Sequence, residues 1–422
     1  MRSRLILRRS AAAAGIYLSA ALGFLATIVA ARVLGVRDFG LFAIVFAATG
    51  LLQSLLDLTV EEAVTKYGFR YAEAAEWGKL RRLFARALAF KSAGAVVAAL
   101  ALLGLALVGD SLFGTEGLAA PFAFAALLPL AQAPEGLAAT ALILRGRYDV
   151  RGAFLAVSMG LRLAAIAVGA QYGLAETFAA LAAAQLLATL AVGVAGLAAY
   201  RRFPPAPQAS LADESAEIRS FVLQSSIATG VVSLRTSVAP LLLGLVAPVA
   251  QVAFFRAALA PQQGFLTLSA PARMILLTEQ TRDWERGDRA GVFAGVRRYS
   301  LGAAAAMAAA VVPVLVFMPE LVRLVFGNDY EGAVTAARIV VVAAVLQFVY
   351  GWTKSFPVTI GRPNLRVVTH GVETLVLVPL VLLLGAEWGA TGAAVAVLAS
   401  TGVFVLHWTV LFIRVQTPAI AQ

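Results

Sequence analysis

Long apolar stretches recur along the whole chain, separated by short segments that carry most of the charged residues. Each stretch is continuous and rich in Ala and Leu rather than alternating, which predicts helices and not strands. Because a helix rises ~1.5 Å per residue, about 20 apolar residues cross a hydrocarbon layer ~30 Å thick. The pattern predicts an all-α membrane protein of twelve spanning helices, at residues 10–34, 38–61, 87–108, 118–143, 150–170, 175–199, 219–246, 250–273, 297–318, 334–356, 366–384 and 389–413.

The ends of these stretches predict local features. Four arginines precede the first stretch, as in a signal peptide, but it is longer than a signal sequence and the next stretch follows at once. We therefore predict a retained first helix. Pro129 and Pro134 inside the fourth stretch indicate kinks. Residues 72–86 and 281–298 mix basic residues with Trp and Phe, which predicts two interfacial amphipathic helices.

Composition supports a membrane protein and narrows its chemistry. Of the 422 residues, 61% are hydrophobic and 14% are charged, whereas a soluble chain has about 45–50% apolar and about 25% charged residues. There is no cysteine, so disulfides and thiolate metal sites are excluded, and two histidines, His370 and His407, argue against a histidine metal site. We predict no metal and no cofactor.

The net charge of +11 follows the predicted topology. With the N-terminus in the cytoplasm, most of the 34 Lys and Arg residues fall on the cytoplasmic side. The outside loops contain only Arg32, Arg37, Arg323 and Arg338. This bias predicts that both termini are cytoplasmic, and it indicates contact with anionic lipids rather than nucleic acid.

Short sequence marks recur in order roughly 210 residues apart. Gly146-Arg147 with Arg151 matches Gly361-Arg362 with Arg366, and residues 169–173 match residues 385–389. An even number of helices in each copy predicts two lobes related by a pseudo-two-fold axis along the membrane normal. We predict an N-terminal lobe at 1–200, a cytoplasmic linker at 201–218 that acts as a hinge, and a C-terminal lobe at 219–422. This architecture is typical of transporters.

Three arginines lie within predicted spans, where each charge costs roughly 2.5–3.5 kcal/mol or more. They are Arg162, Arg235 and Arg256. Guanidinium groups bind phosphate oxygens in pairs, so these residues predict a cavity for an anionic group. For Arg162 the alternative is a structural ion pair with Glu135, which lies at comparable depth on the preceding span. Lys91 is predicted to extend towards the cytoplasmic surface.

Acidic and amide side chains within the spans are the other candidates. Asp57, Glu135 and Glu373 are possible ion-coupling groups, although Asp57 also suits a structural pair with Arg86 or Lys91. Gln53 and Gln224 suit a polar lining, but glutamines also hold membrane helices together. No nucleophile elbow, phosphate-binding loop or metal-ligand spacing is present, and the loops are short. The sequence therefore predicts no enzyme.

Three motifs resemble those of a known family. Residues 31–42 running into 51–57 are similar to the helix 1–2 signature of bacterial Wzx-type polysaccharide flippases, members of the multidrug/oligosaccharidyl-lipid/polysaccharide (MOP) exporter superfamily. Residues 324–333 resemble that family's segment after helix 9. Residues 360–364 and 387–394 resemble its helix 10–12 pattern.

This resemblance implies a two-lobed exporter in the bacterial inner membrane that moves undecaprenyl-pyrophosphate-linked oligosaccharide from the inner to the outer leaflet. In that family helices 1, 2, 7 and 8 line the cavity, which places Arg235 and Arg256 near the pyrophosphate and Asp57 and Gln53 on helix 2. Its expected partners are the lipid-linked substrate, membrane lipids, a polysaccharide polymerase and glycosyltransferases, with the chain itself a monomer.

Two other functions stay open. A cation-coupled multidrug or metabolite antiporter of the same superfamily would have buried acids dominating its cavity, whereas the deep charges here include three arginines. A membrane enzyme of envelope glycan assembly would need a catalytic acid or a metal site in a groove.

Overall fold

A computed structural model of the protein describes residues 2–56, 60–262, 270–362 and 364–416. Over these ranges the regular elements are α-helices and two short 3₁₀ helices, Asn328–Ala333 and Gly351–Lys354. The α-helices are α1 Arg2–Leu56, α2 Val60–Glu73, α3 Trp77–Leu112, α4 Ala119–Ala125, α5 Leu127–Gln132, α6 Glu135–Leu144, α7 Tyr148–Gly169, α8 Leu174–Arg201, α9 Ser215–Val246, α10 Val249–Ala258, α11 Ala270–Glu285, α12 Arg289–Val316, α13 Met318–Phe326, α14 Val334–Val349, α15 Phe356–Thr359 and α16 Asn364–Gln416.

The helices confirm the predicted all-α membrane fold. Within the described ranges, eight helices are long and apolar enough to cross a membrane, or nine if the bent pair Ser215–Leu234 and Ser237–Val246 forms one span. The total of twelve spans, and the two-fold relation of the lobes, stay predictions.

Two of these helices are interrupted by a single glycine. α1 has 55 residues, and a straight helix of that length would measure about 80 Å, far more than a bilayer. The backbone leaves the helical region at Gly35 (φ 74°, ψ 176°) and, in α16, at Gly389 (φ 56°, ψ −130°). Glycine adopts positive φ without steric cost. Gly35 lies between two predicted spans and Gly389 at the start of another, so α16 contains two of the predicted spans and α1 contains one and most of the next.

The fourth predicted span is broken into the short helices α4, α5 and α6. Pro134 precedes α6, and as a proline it lacks the N–H that would continue the ladder from α5. The kink predicted from Pro129 and Pro134 is thus confirmed. The interruption places two partly buried polar side chains, Gln132 and Glu135, within the predicted span.

The glycines of the recurring sequence marks occupy similar turns. Gly146 and Gly361 have φ of 68° and 70°, and Gly173 and Gly389 have φ of 140° and 56°. Both members of each pair have positive φ, which explains why glycine recurs at these matching positions of the two halves.

The two predicted interfacial helices are wrong. In each case a turn divides the segment, at residues 74–76 and at 286–288. The residues before the turn end one helix, and those after it form the first turns of the long helices α3 and α12. The basic residues therefore mark helix ends rather than separate surface helices.

The chain forms two compact units, one up to Ser233 and one from Leu234. The core of the first unit packs α2, α3, α6 and α8 around Tyr67, Tyr71 and Leu80, all fully buried. The core of the second unit is aromatic. Trp352 contacts Trp408 edge to face, with ring centroids 5.7 Å apart, and also packs on Phe356.

Residues 201–218, the predicted linker, pack against the first unit. Phe203 and Leu211 are buried in its core, and Ala209 N donates a hydrogen bond to Gly78 O at 3.1 Å. Lys79 pairs with Glu214 at 2.8 Å. Hydrogen bonds from Lys79 and from the Tyr71 hydroxyl lower the pKa of the Glu214 carboxyl below its ordinary value.

A second ion pair holds the start of α9 to the same unit. Arg70 pairs with Glu217 at 3.2 Å, and the Tyr67 hydroxyl donates to the same carboxylate at 3.1 Å. These contacts explain why the first half of α9 belongs to the N-terminal unit. The lobe limits 1–200 and 219–422 stay a prediction.

Candidate functional site

Three predicted site residues lie in the N-terminal unit on packed helices. Gln53 is on α1, Glu135 begins α6, and Arg162 is two thirds of the way along α7. α7 packs against α1, α6 and α8, and α6 also packs on α8. The fold thus gathers side chains that are far apart in the sequence.

Gln53 forms a polar link between helices. Its Nε2 donates a hydrogen bond to Gln132 Oε1 at 3.0 Å. Gln132 is the last residue of α5, where the break before Pro134 ends the helix. A hydrogen bond of this kind between membrane helices contributes about 0.6–2 kcal/mol.

Lys91 is buried rather than extended to the surface. Only 4% of the residue is exposed, and its Nζ pairs with the carboxylate of Glu61 on α2. A Cβ on residue 136 would overlap this carboxylate, so Gly136 makes room for the pair. The prediction for Lys91 is wrong because α2 supplies a counter-charge inside the unit, which removes the advantage of reaching water.

Glu135 is held by an amide. It accepts a hydrogen bond from Gln185 Nε2 at 2.6 Å, and the same nitrogen donates to Thr189 Oγ1 at 3.1 Å. Gln185 is 5% exposed and Glu135 is partly buried.

Arg162 is near Glu135 without a direct ion pair among the described residues. Its guanidinium carbon lies 5.9 Å from the centroid of the Phe46 ring, a cation–π geometry. Glu135 still attracts it electrostatically. Arg162 is therefore held by a ring and by a more distant carboxylate.

A small cavity lies among these groups. It measures about 130 Å³ and is lined by Glu61, Lys91, Gln132, Glu135 and Arg151, among others. Since a water molecule occupies roughly 30 Å³ of liquid, this volume fits a few waters or a small cation. It does not fit a lipid-linked sugar. We call Gln53, Glu61, Lys91, Gln132, Glu135 and Gln185 the N-terminal polar cluster.

Gln224 lies apart from this cluster. It is exposed on α9, and its Nε2 donates to Ser220 Oγ of the same helix at 3.1 Å. The neighbouring Ser225 donates a hydrogen bond to Glu62 on α2.

In the C-terminal unit, Glu373 is 1% exposed, and a hydrogen bond of 3.0 Å joins its Oε2 to His370 Nδ1. The His370 ring stacks on Phe404 with centroids 5.1 Å apart. Arg256 is on α10 and partly buried. Nearby in sequence, Gln262 Nε2 donates to Gln347 Oε1 at 2.9 Å, and Gln347 Nε2 donates to Thr401 Oγ1 at 3.1 Å.

Two predicted site residues lie outside what the structure describes. Asp57 falls in the gap after α1, and the side chain of Arg235 is not among those described, although its backbone belongs to α9.

Sequence reasoning missed Glu61, Gln132 and Gln185. Gln132 and Gln185 gave the same signal as Gln53, an amide inside an apolar stretch. Glu61 lies at the end of a predicted span, where a carboxylate can reach water and gives no sign of a buried role. Among the described residues, no group of three His, Cys, Asp or Glu side chains could hold a metal ion.

These features define a polytopic α-helical membrane protein with buried polar groups in both compact units. The sequence model of the family described as "Polysaccharide biosynthesis protein" matches residues 10–272, more than half of the chain. The protein belongs to this family. A comparison with curated protein sequences finds no match.

Solved structures of MOP superfamily transporters have the same fold. An inward-facing multidrug resistance MATE family transporter superposes with a TM-score of 0.74 at 15% identity, covering 95% of this chain and 96% of that chain. The lipid II flippase MurJ, in an inward closed conformation, gives 0.71 at 11% identity, with 98% and 88% covered. A MOP superfamily transporter from Pyrococcus furiosus gives 0.59 at 16% identity, with 98% and 96% covered.

Proposed function

We propose that this protein is a flippase that moves an undecaprenyl-pyrophosphate-linked oligosaccharide across the bacterial inner membrane by alternating access. The observation that carries the proposal is the polysaccharide biosynthesis family match over residues 10–272. The fold shared with the lipid II flippase supports it. Polysaccharide biosynthesis on a lipid carrier needs a transporter for a large lipid-linked glycan. An apolar helix bundle with internal polar groups suits that task.

We place the anionic end of the substrate on arginines. Arg235 and Arg256, with Arg162, Gln53 and Gln224 as further lining, are the binding residues. Guanidinium groups suit a pyrophosphate because they are always charged and bind two oxygens at once. The cavity of about 130 Å³ in the N-terminal polar cluster, which Gln53 does not line, is too small for the substrate. We assign ion coupling to Glu135 in that cluster, to Glu373 in the other unit and to Asp57.

We further propose that the chain works as a monomer in the inner membrane, with both termini in the cytoplasm. Its partners are membrane lipids and the polymerase and glycosyltransferases that make and use its substrate. It performs no chemistry of its own.

A cation-coupled multidrug antiporter is the second candidate. The observations that favour it are the buried carboxylate of Glu373 in one unit and the partly buried carboxylate of Glu135 in the other, since acids inside membrane proteins often carry protons or ions.

One preparation tests both candidates. The purified protein is reconstituted into proteoliposomes with a fluorescent undecaprenyl-pyrophosphate oligosaccharide, and an impermeant reagent measures how much reaches the other leaflet. The flippase predicts movement above that in empty vesicles and no flux of small cationic dyes. Dye flux driven by a proton or sodium gradient, without lipid movement, would replace the flippase with the antiporter.

A further inference from the structure

The N-terminal unit also carries an apolar groove that neither the polar cluster nor the proposed function uses. The groove has a volume of about 600 Å³ and lies between α2, α3, Leu211 and the first turns of α9. This volume is within the range of about 300–1,000 Å³ typical of ligand sites. Its walls are mainly aliphatic, with Val64, Ala87 and Val222 among them.

Among the residues that the structure describes, the charged ones lining the groove are two arginines, Arg86 on α3 and Arg219 on α9. Both are exposed. Arg219 Nε donates to the Ser215 carbonyl of its own helix at 3.2 Å, and neither guanidinium forms an ion pair within the described ranges. The rim is therefore positively charged.

Three acids near the groove have other partners. Glu214 binds Lys79 and Tyr71, and Glu217 binds Arg70 and Tyr67. Glu62 accepts the hydrogen bond from Ser225. Among the described residues these three carboxylates therefore do not neutralise the two exposed rim arginines.

The depth of the groove indicates the kind of anion. Arg86 directly precedes the predicted span 87–108, and Arg219 is the first residue of the predicted span 219–246. In the predicted topology both lie at the cytoplasmic interface, where phospholipid phosphates lie. One turn further along each helix, Phe90 is 48% exposed and Leu223 is 60% exposed. An amphipathic ligand with its phosphate at the interface and its chain in the membrane matches this order of charge and apolar surface.

We propose that this groove binds an anionic phospholipid of the cytoplasmic leaflet. The headgroup phosphate is held between Arg86 and Arg219, and one acyl chain lies along Phe90 and Leu223. A soluble phosphate would leave the apolar walls in water, and a peptide would not explain the alignment with the membrane interface. The bound lipid joins α3 to α9, so anionic lipid stabilises the N-terminal unit.

Phosphatidylglycerol binding tests the proposal on the detergent-purified full chain. Lipid adducts are counted by native mass spectrometry, and thermal stability is followed by fluorescence during the titration. The test variant is Arg86→Gln/Arg219→Gln. The matched control is Arg201→Gln/Arg202→Gln, which removes the same charge from two exposed arginines outside the groove.

The wild type and the control are expected to bind phosphatidylglycerol equally. The test variant should bind it roughly 30-fold more weakly, about fivefold for each interfacial arginine. Phosphatidylcholine should stabilise all three proteins equally and weakly. Leu223→Gln, which keeps both arginines, should also weaken phosphatidylglycerol binding because it places a polar side chain against the acyl chain of the lipid. Equal melting temperatures of the lipid-free proteins show that the variants are folded.

Three results would overturn the proposal. The first is equal binding of phosphatidylglycerol by the test variant and the control. The second is equal stabilisation of the wild type by inorganic phosphate, which would make this a simple anion site. The third is binding of undecaprenyl phosphate in place of phosphatidylglycerol, which would make the groove part of the substrate path.

Discussion

Replacing glycine by alanine is expected to have different effects on stability at two positions of α7, Gly152 and Gly160. Gly152 faces α1 at close range: a Cβ built on it would lie 2.7 Å from Ala12 Cα and 3.2 Å from Ala12 O. Gly160, two turns further along, has nothing within 4 Å of the same position. Small residues at such crossings let membrane helices approach closely.

The magnitude follows from these distances. Ordinary Cβ contacts begin at about 3.4 Å, so Gly152→Ala requires the backbones to separate by several tenths of an ångström. Overpacking of this kind costs about 1–3 kcal/mol. Replacing glycine by alanine within a helix returns up to about 1 kcal/mol of helix propensity. With the full propensity gain, the net result is a loss of about 0–2 kcal/mol for Gly152→Ala and a gain of up to about 1 kcal/mol for Gly160→Ala.

The assay is thermal unfolding in a single detergent, followed by size-exclusion chromatography of the heated samples. At about 1 °C per kcal/mol for a chain of 422 residues, Gly152→Ala should lower the melting temperature by up to about 2 °C. Gly160→Ala should leave it unchanged or raise it. Equal melting temperatures for the two variants would refute the close contact between α1 and α7.

Three further predictions concern charged and polar contacts. Lys91→Met should lower the melting temperature because it leaves the Glu61 carboxylate without its ammonium, and adding Glu61→Gln should recover part of the loss; no recovery would contradict the pair. The lowered folded-state pKa of Glu214 means that its contribution to stability is present above the carboxyl's ordinary pKa and is lost as the pH falls through the lowered value. Unfolding measured from pH 6 downwards should therefore show a steeper loss for the wild type than for Glu214→Gln, and parallel curves would argue against this. Gln347→Leu should cost about 1–2 kcal/mol in thermal unfolding because it removes both hydrogen bonds of the middle amide, and a neutral effect would show that they contribute little.

The helices were predictable because hydropathy alone demands them. A continuous apolar run in a lipid solvent can satisfy its backbone only as a helix. The recurring glycines were also visible in the sequence. Gly146 and Gly361 both have positive φ, a conformation that favours glycine, so the same residue occurs in both halves. The family motifs were recognisable for the same reason, as turns and helix ends tolerate few substitutions.

The partners of buried charges could not be read from the sequence. Lys91 resembles a residue that reaches the surface until α2 places Glu61 beside it. The proline break before α6 sets the depth of Glu135, and Gln185 from α8 then decides its hydrogen bond. Such contacts depend on the rotation of helices that are distant in sequence, and hydropathy carries no information on rotation.

The contacts of the predicted linker could not be read from the sequence either. Its prolines and acids predict a hinge between the two lobes, which stays a prediction. In the structure the acids Glu214 and Glu217 bind basic and tyrosine side chains of α2 and α3. Charge composition indicates exposure, but it does not show which cation lies opposite.

The most direct test of the proposed function compares two substrates in proteoliposomes. One is an oligosaccharide joined to undecaprenol through pyrophosphate, and the other is the same oligosaccharide joined through a neutral ether. An arginine site for the pyrophosphate predicts rapid movement of the first substrate, little movement of the second, and loss of the difference in Arg235→Ala. Equal rates for both substrates, unchanged in Arg235→Ala, would contradict it.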